Sequence, residues 1–156
     1  MEGASKVLLF AALIIPILLA SGCINQPDNT AVNTTQTANL SASLPDNRLE
    51  VFHFHATRQC ITCINVGKYA EETLKKYFQK GLDSGRIVFK SINMESSENQ
   101  IIVSKYGATG ASLWIGVYNS SGFFPEENND VWFKTTDENA YLEYFRGVIE
   151  SKLSGL

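Results

Sequence analysis

Two cysteines spaced C-x-x-C, Cys60 and Cys63, close the stretch Phe54-His55-Ala56-Thr57-Arg58-Gln59-Cys60-Ile61-Thr62-Cys63. An apolar, β-prone run ends in this stretch, a short polar loop follows, and the cysteines open a segment of helical character. A thiol in the first turn of a helix faces unpaired backbone N–H groups and the positive end of the helix dipole, and both favour thiolate over thiol. Thiolate is the form that attacks a disulfide. Cys60 is therefore the candidate nucleophile and Cys63, one turn further on, the candidate resolving thiol. Arg58, two residues upstream of Cys60, adds positive charge and is a candidate assisting residue.

Other chemistry is open to the same residues. The pair could instead form a permanent disulfide, but closing so small a loop restricts the unfolded chain little, contributing about 2 kcal/mol. A structural staple usually joins distant segments, which weighs toward exchange. His53 and His55 alternate on one strand and so face the same side. Together with Cys60 and Cys63 they would make a set of two His and two Cys, sufficient for zinc or copper. Histidines in strands more often hydrogen-bond locally, and the spacing matches no zinc-finger pattern. Metal binding by His53, His55, Cys60 and Cys63 therefore stands as the alternative to a site with no cofactor beyond the Cys60–Cys63 disulfide.

The remaining cysteine, Cys23, lies behind an apolar run from Val7 to Ala20 that is preceded by Lys6. This run is shorter than the ~20 residues of a bilayer-spanning helix, which favours a removable export signal over residues 1–22. Leu19-Ala20-Ser21-Gly22-Cys23 resembles a lipobox, in which cleavage precedes the cysteine and the new N-terminus is lipidated; an uncleaved anchor with Cys23 idle is the alternative. Residues 23–47 read as a tether rich in Asn, Thr and Ser, with no apolar period to offset the entropy of ordering. The expected location is extracytoplasmic, held to the cell membrane through lipid on Cys23. A net charge of −3 argues against nucleic acid as a partner. The remaining residues, 48–156, suit one domain, expected to be a monomer.

Within that domain the periodicities predict a strand over Leu49–His55 and a helix from Ile61 to Lys80, stopped by Gly81. A second strand follows over Arg86–Met94. Ser97 and Gln100 have capping-box spacing ahead of a short helix ended by Gly107. Leu113–Tyr118 reads as the third strand, followed by a turn at residues 119–122. Phe124–Asp130 is expected to be an acidic loop and Val131-Trp132-Phe133 the fourth strand. Thr135 or Thr136 is expected to cap a last helix carrying Tyr141, Leu142, Phe145, Val148, Ile149 and Leu153 at the helical period.

A strand, a loop and C-x-x-C at the next helix start, in the order β-α-β-α-β-β-α, resemble a thioredoxin-fold domain over about residues 48–156. Lys105-Tyr106-Gly107-Ala108-Thr109-Gly110-Ala111-Ser112-Leu113 is similar to that family's K-Y-G-x-x-G-x-P-T segment. The resemblance implies an α/β domain with a central four-stranded mixed sheet and helices on both faces. It further implies exchange with protein or small-molecule thiols and disulfides, in a groove shaped by Thr109, Gly110, Ala111, Ser112 and Leu113. Three departures matter. Ser112 stands where the family has a cis-proline, so a trans peptide is expected. Phe54 stands where thioredoxins carry a buried Asp, which leaves His55 as the nearest candidate base in sequence. Gln59-Cys60-Ile61-Thr62-Cys63 replaces the Trp-Cys-Gly-Pro-Cys core, which leaves the direction of electron flow open.

Overall fold

The computed structural model describes residues 46–156. The export signal, Cys23 and nearly all of the tether lie outside the described residues. Four strands, β1 (Arg48–His55), β2 (Ile87–Asn93), β3 (Ser112–Asn119) and β4 (Gly122–Glu127), form one sheet in the order β2-β1-β3-β4. β1 pairs parallel with β2 and antiparallel with β3, and β4 returns antiparallel to β3. The parallel pair requires a crossover, supplied by helices α1 (Ile61–Tyr77) and α2 (Gln79–Asp83).

β1 is central because both of its faces are apolar. Leu49 and Val51 enter one core cluster with Val66, Ala70 and Leu74 of α1 and with Tyr141, Phe145 and Ile149 of α4 (Glu138–Ser154). Phe52 and Phe54 point the other way, into a second cluster with Ile92 and with Tyr106 of α3 (Gln100–Tyr106). The sheet is thus mixed and four-stranded with helices on both faces, as expected. Phe54, at the position of the family's acid, belongs to the α3 face and packs at 5.5 Å from the Tyr106 ring.

Four local readings are corrected. The fourth strand is Gly122–Glu127, and Val131–Phe133 belongs to a 3-10 helix, Asn129–Lys134. Asn119 pairs with Gly122, so Ser120-Ser121 is the tight turn and the hairpin continues directly into the acidic segment. β4 is an exposed edge strand, where Pro125 and two glutamates are tolerated because no further strand needs their outer hydrogen bonds. The long helix breaks at Phe78 (φ −129°), and Gly81 lies inside α2. Gln100 makes no capping box: its Nε2 donates to the carbonyls of Met94 and Ser96. The last helix is capped by Asp137, whose Oδ1 accepts the Ala140 N–H at 3.1 Å, while Thr135 is buried and donates to the Trp132 carbonyl. Gly107 does end α3, in the left-handed conformation (φ 71°) that glycine adopts without penalty.

Candidate active site around Cys60 and Cys63

Cys60 is the N-cap of α1. Its backbone is extended, its carbonyl accepts the Ile64 N–H at 3.0 Å, and its sulfur accepts the Cys63 N–H at 3.1 Å. Sulfur here fills the place usually taken by a Ser or Asp oxygen at a helix start. The two cysteines are joined in a disulfide with Cα atoms 5.1 Å apart. They are not equivalent: Cys60 is exposed, whereas Cys63 is half-buried and its backbone is in contact with His53 of β1.

The loop leading to Cys60 is pinned from β2. Asn93 Nδ2 donates to Thr57 Oγ1 at 3.0 Å, and Glu95 Oε2 accepts the Thr57 N–H at 3.0 Å. Bonds from the Thr57 side chain first, and from its N–H second, hold the Glu95 carboxyl below the usual carboxylate range. Arg58 is exposed in this loop. Exposed apolar side chains stand next to the disulfide in the chain, Ile61 and Ile64, and Phe133 is exposed on the 3-10 helix. That helix is tied to α1 by a bond from Asn65 Nδ2 to the Thr135 carbonyl at 3.1 Å.

The pairing of Phe54 with Ser112 sets the segment before β3 at the end of β1 from which the cysteine loop departs. Of the five residues expected to shape a groove, Thr109 and Gly110 are exposed and Ala111 is half-exposed. Ser112 and Leu113 are buried, so they present no side chain at a surface. The Ser112 hydroxyl donates to the Gly110 carbonyl at 2.8 Å and accepts from Trp114 Nε1 at 3.0 Å, bracing the turn from within. No peptide bond among the described residues is cis, the one preceding Ser112 included.

The two histidines share a face and stack, with ring centroids 5.3 Å apart. Their surroundings differ. His55, nearest in sequence to the cysteines, is half-buried, with Nδ1 bonded at 2.9 Å to the Ala56 carbonyl beside it. His53 is buried at 2 % exposure between β1, Ser91 of β2 and Gly67 of α1. A Cβ on Gly67 would lie 2.2 Å from His53 Nδ1, so only glycine admits the imidazole there. Burial lowers the His53 pKa to about 4; the neighbouring His55 acts in the same direction and a backbone contact with Cys63 opposes it. Proximity in sequence pointed to His55, whereas the packed imidazole is His53. The signal available was Gly67, a glycine inside an apolar helical stripe, which marks a close approach. Among the described residues no group of three or more His, Cys, Asp and Glu side chains is placed to hold a metal ion. No helix among them is long and apolar enough to cross a membrane.

The sheet order, the two helical faces and a C-x-x-C disulfide capping the first helix define a thioredoxin-like α/β domain. No protein-family model matches the sequence, and no curated protein matches it. Among solved structures, the first two thioredoxin domains of Eps1p from Naumovozyma dairenensis are similar at 21 % identity and a TM-score of 0.41. That match covers 65 % of this chain and 35 % of the other. A malarial protein is similar at 15 % identity and a TM-score of 0.38, over 64 % of this chain and 98 % of its own.

Proposed function

We propose that this chain is a thiol–disulfide oxidoreductase, held outside the cytoplasm at the cell membrane by lipid on Cys23. Cys60 is the attacking sulfur and Cys63 the resolving one. The observation that carries this reading is the exposed Cys60 sulfur at the start of α1, accepting the Cys63 N–H. A thiolate released at that point keeps the same donor, and charge-assisted hydrogen bonds are the stronger ones. Exchange then proceeds through a mixed disulfide on Cys60, which Cys63 attacks to release the partner's thiol. The exposed Ile61 and Ile64 suit a partner that brings apolar surface with its disulfide, such as an extended polypeptide.

A redox titration of the Cys60–Cys63 pair against glutathione or dithiothreitol tests the reading. An exchanging pair should titrate above about −300 mV, and a lower potential would mark a permanent bond. Insulin reduction should follow the same result, being measurable in the parent and absent in Cys60→Ser.

A further inference from the structure

Residues 23–47, read as the link to the membrane, join the domain at Arg48, the first residue of β1. The Leu49 N–H donates to the Arg86 carbonyl at 2.8 Å, so the link enters beside the residue that leads into β2. From there β1 rises about 25 Å to His55 and the cysteine loop. The domain therefore has a tether end and a cysteine end. α1 starts at the cysteines, α4 starts beside it through the Lys68–Glu138 pair, and both finish at the tether end, where Tyr77 and Leu153 meet Arg86 around one cleft.

That cleft has a volume of about 770 Å³. Its cations are Lys76 from α1, Lys80 from α2 and Arg86 ahead of β2, all exposed, and no Asp or Glu lines it. None of the three pairs with a carboxylate among the described residues. Acids on the same helices are engaged elsewhere: Asp83 accepts from Gln79 Nε2 at 2.7 Å, and Glu143 and Glu150 pair with Arg146. Half-buried Tyr77, Phe78 and Leu153 supply the apolar part of the wall. A lysine in the last turn of a helix offsets the helix dipole, which accounts for Lys76 and Lys80, but Arg86 lies on no helix. In a chain of net charge −3, three cations gathered without a counter-charge around half-buried aromatic rings suit a surface that is anionic outside and apolar beneath.

We propose that this cleft docks on the phosphate headgroups of an anionic bilayer. The domain then lies on the membrane by its tether end and holds Cys60 outward, toward partners in the surrounding medium and away from partners embedded in the same bilayer. The inference rests on the anchoring part of the reading given above. Residues 23–47 reach at most about 90 Å, so lipid on Cys23 keeps the cleft near the headgroups. A contact too weak to bind alone is then populated. Each cation near an anionic surface strengthens attachment about fivefold, and the gain falls as salt rises. Tyr77 suits the boundary between headgroups and acyl chains.

The occupant is a surface and not a single small anion. The three cations come from three separate segments around an open cleft, and of the residues lining it only Ile87, an apolar one, is buried. No buried polar side chain closes there on one bound group.

The test is lysine acetylation by N-hydroxysuccinimidyl acetate, read by peptide mass spectrometry, on the full chain as purified from membranes. The chain is reconstituted in vesicles of phosphatidylcholine alone or of equal parts phosphatidylcholine and phosphatidylglycerol. Lys76 and Lys80 should react at least threefold more slowly on the anionic vesicles, whereas Lys68 and Lys90, exposed outside the cleft, should not change. Salt at about 1 M, where charges are screened beyond about 3 Å, should remove the difference. Arg86→Glu should remove it too, while the chain stays on the vesicles. Alkylation of reduced Cys60 should run at the same rate on both kinds of vesicle. A chain retained on both without selective protection of Lys76 and Lys80 overturns the proposal alone. So does slower alkylation of Cys60 on the anionic vesicles, which marks docking by the cysteine end. Protection by inorganic phosphate on phosphatidylcholine vesicles also overturns it, in favour of a small-anion site. A chain that washes off both kinds of vesicle overturns the anchoring reading, and this proposal with it.

Discussion

The inequality of the two sulfurs begins with hydrogen bonding. The Cys63 N–H is one of the four donors left over at the start of any helix, and here it is spent on the Cys60 sulfur. Cys63 receives no such donor and is half-buried, its backbone in contact with His53. After reduction, Cys60 should react with iodoacetamide at pH 7 at least tenfold faster than Cys63, read by mass spectrometry of the labelled peptides. Equal, slow labelling of both would remove the reason for assigning the attack to Cys60. Substitution of Cys63 by Ser should preserve the fast labelling, because the donor is a backbone group that survives the change.

The elements are placed by residues of unequal legibility. The central strand and the cysteine helix were readable because each carries an apolar pattern that the core uses in full, Leu49 to Phe54 in β1 and Val66, Ala70 and Leu74 in α1. The edge strand was not, since Gly122–Glu127 has neither alternation nor burial, and its pairing comes from the tight turn at Ser120-Ser121. The aromatic run Val131-Trp132-Phe133 suggested a strand, yet only Val131 is buried and Phe133 is exposed, a spacing that a 3-10 turn produces. The cysteine pair was found from its spacing, whereas the neighbouring imidazole needed tertiary structure, since it reaches the cysteine helix across the β1–α1 packing. Caps can be checked singly. Asp137 satisfies the Ala140 N–H of α4, and α4 packs against α1 in the main core. Asp137→Ala should therefore cost about 1 kcal/mol in urea unfolding, whereas Thr136→Ala should cost much less.

At the scale of the whole molecule, a neutral imidazole under the cysteine helix links stability to pH. The His53 pKa falls from an ordinary 6.5 to about 4 on folding, chiefly because burial disfavours the charged ring. Between those values the unfolded chain binds a proton that the folded chain refuses. Stability from this group is thus full above pH 6.5 and is lost as pH falls toward 4. At about 1.4 kcal/mol per pKa unit the loss amounts to about 3 kcal/mol, a large fraction of a small domain's stability. Carboxylates titrate in the lower part of the same window, so the effect is isolated by comparison with His53→Gln, which lacks it. In urea unfolding of the oxidised proteins, the parent's advantage over the variant should shrink steadily from pH 7 to pH 4. A difference that stays flat over that range would mean that the folded chain takes up the proton as readily as the unfolded one, so that burial does not disfavour the charged ring.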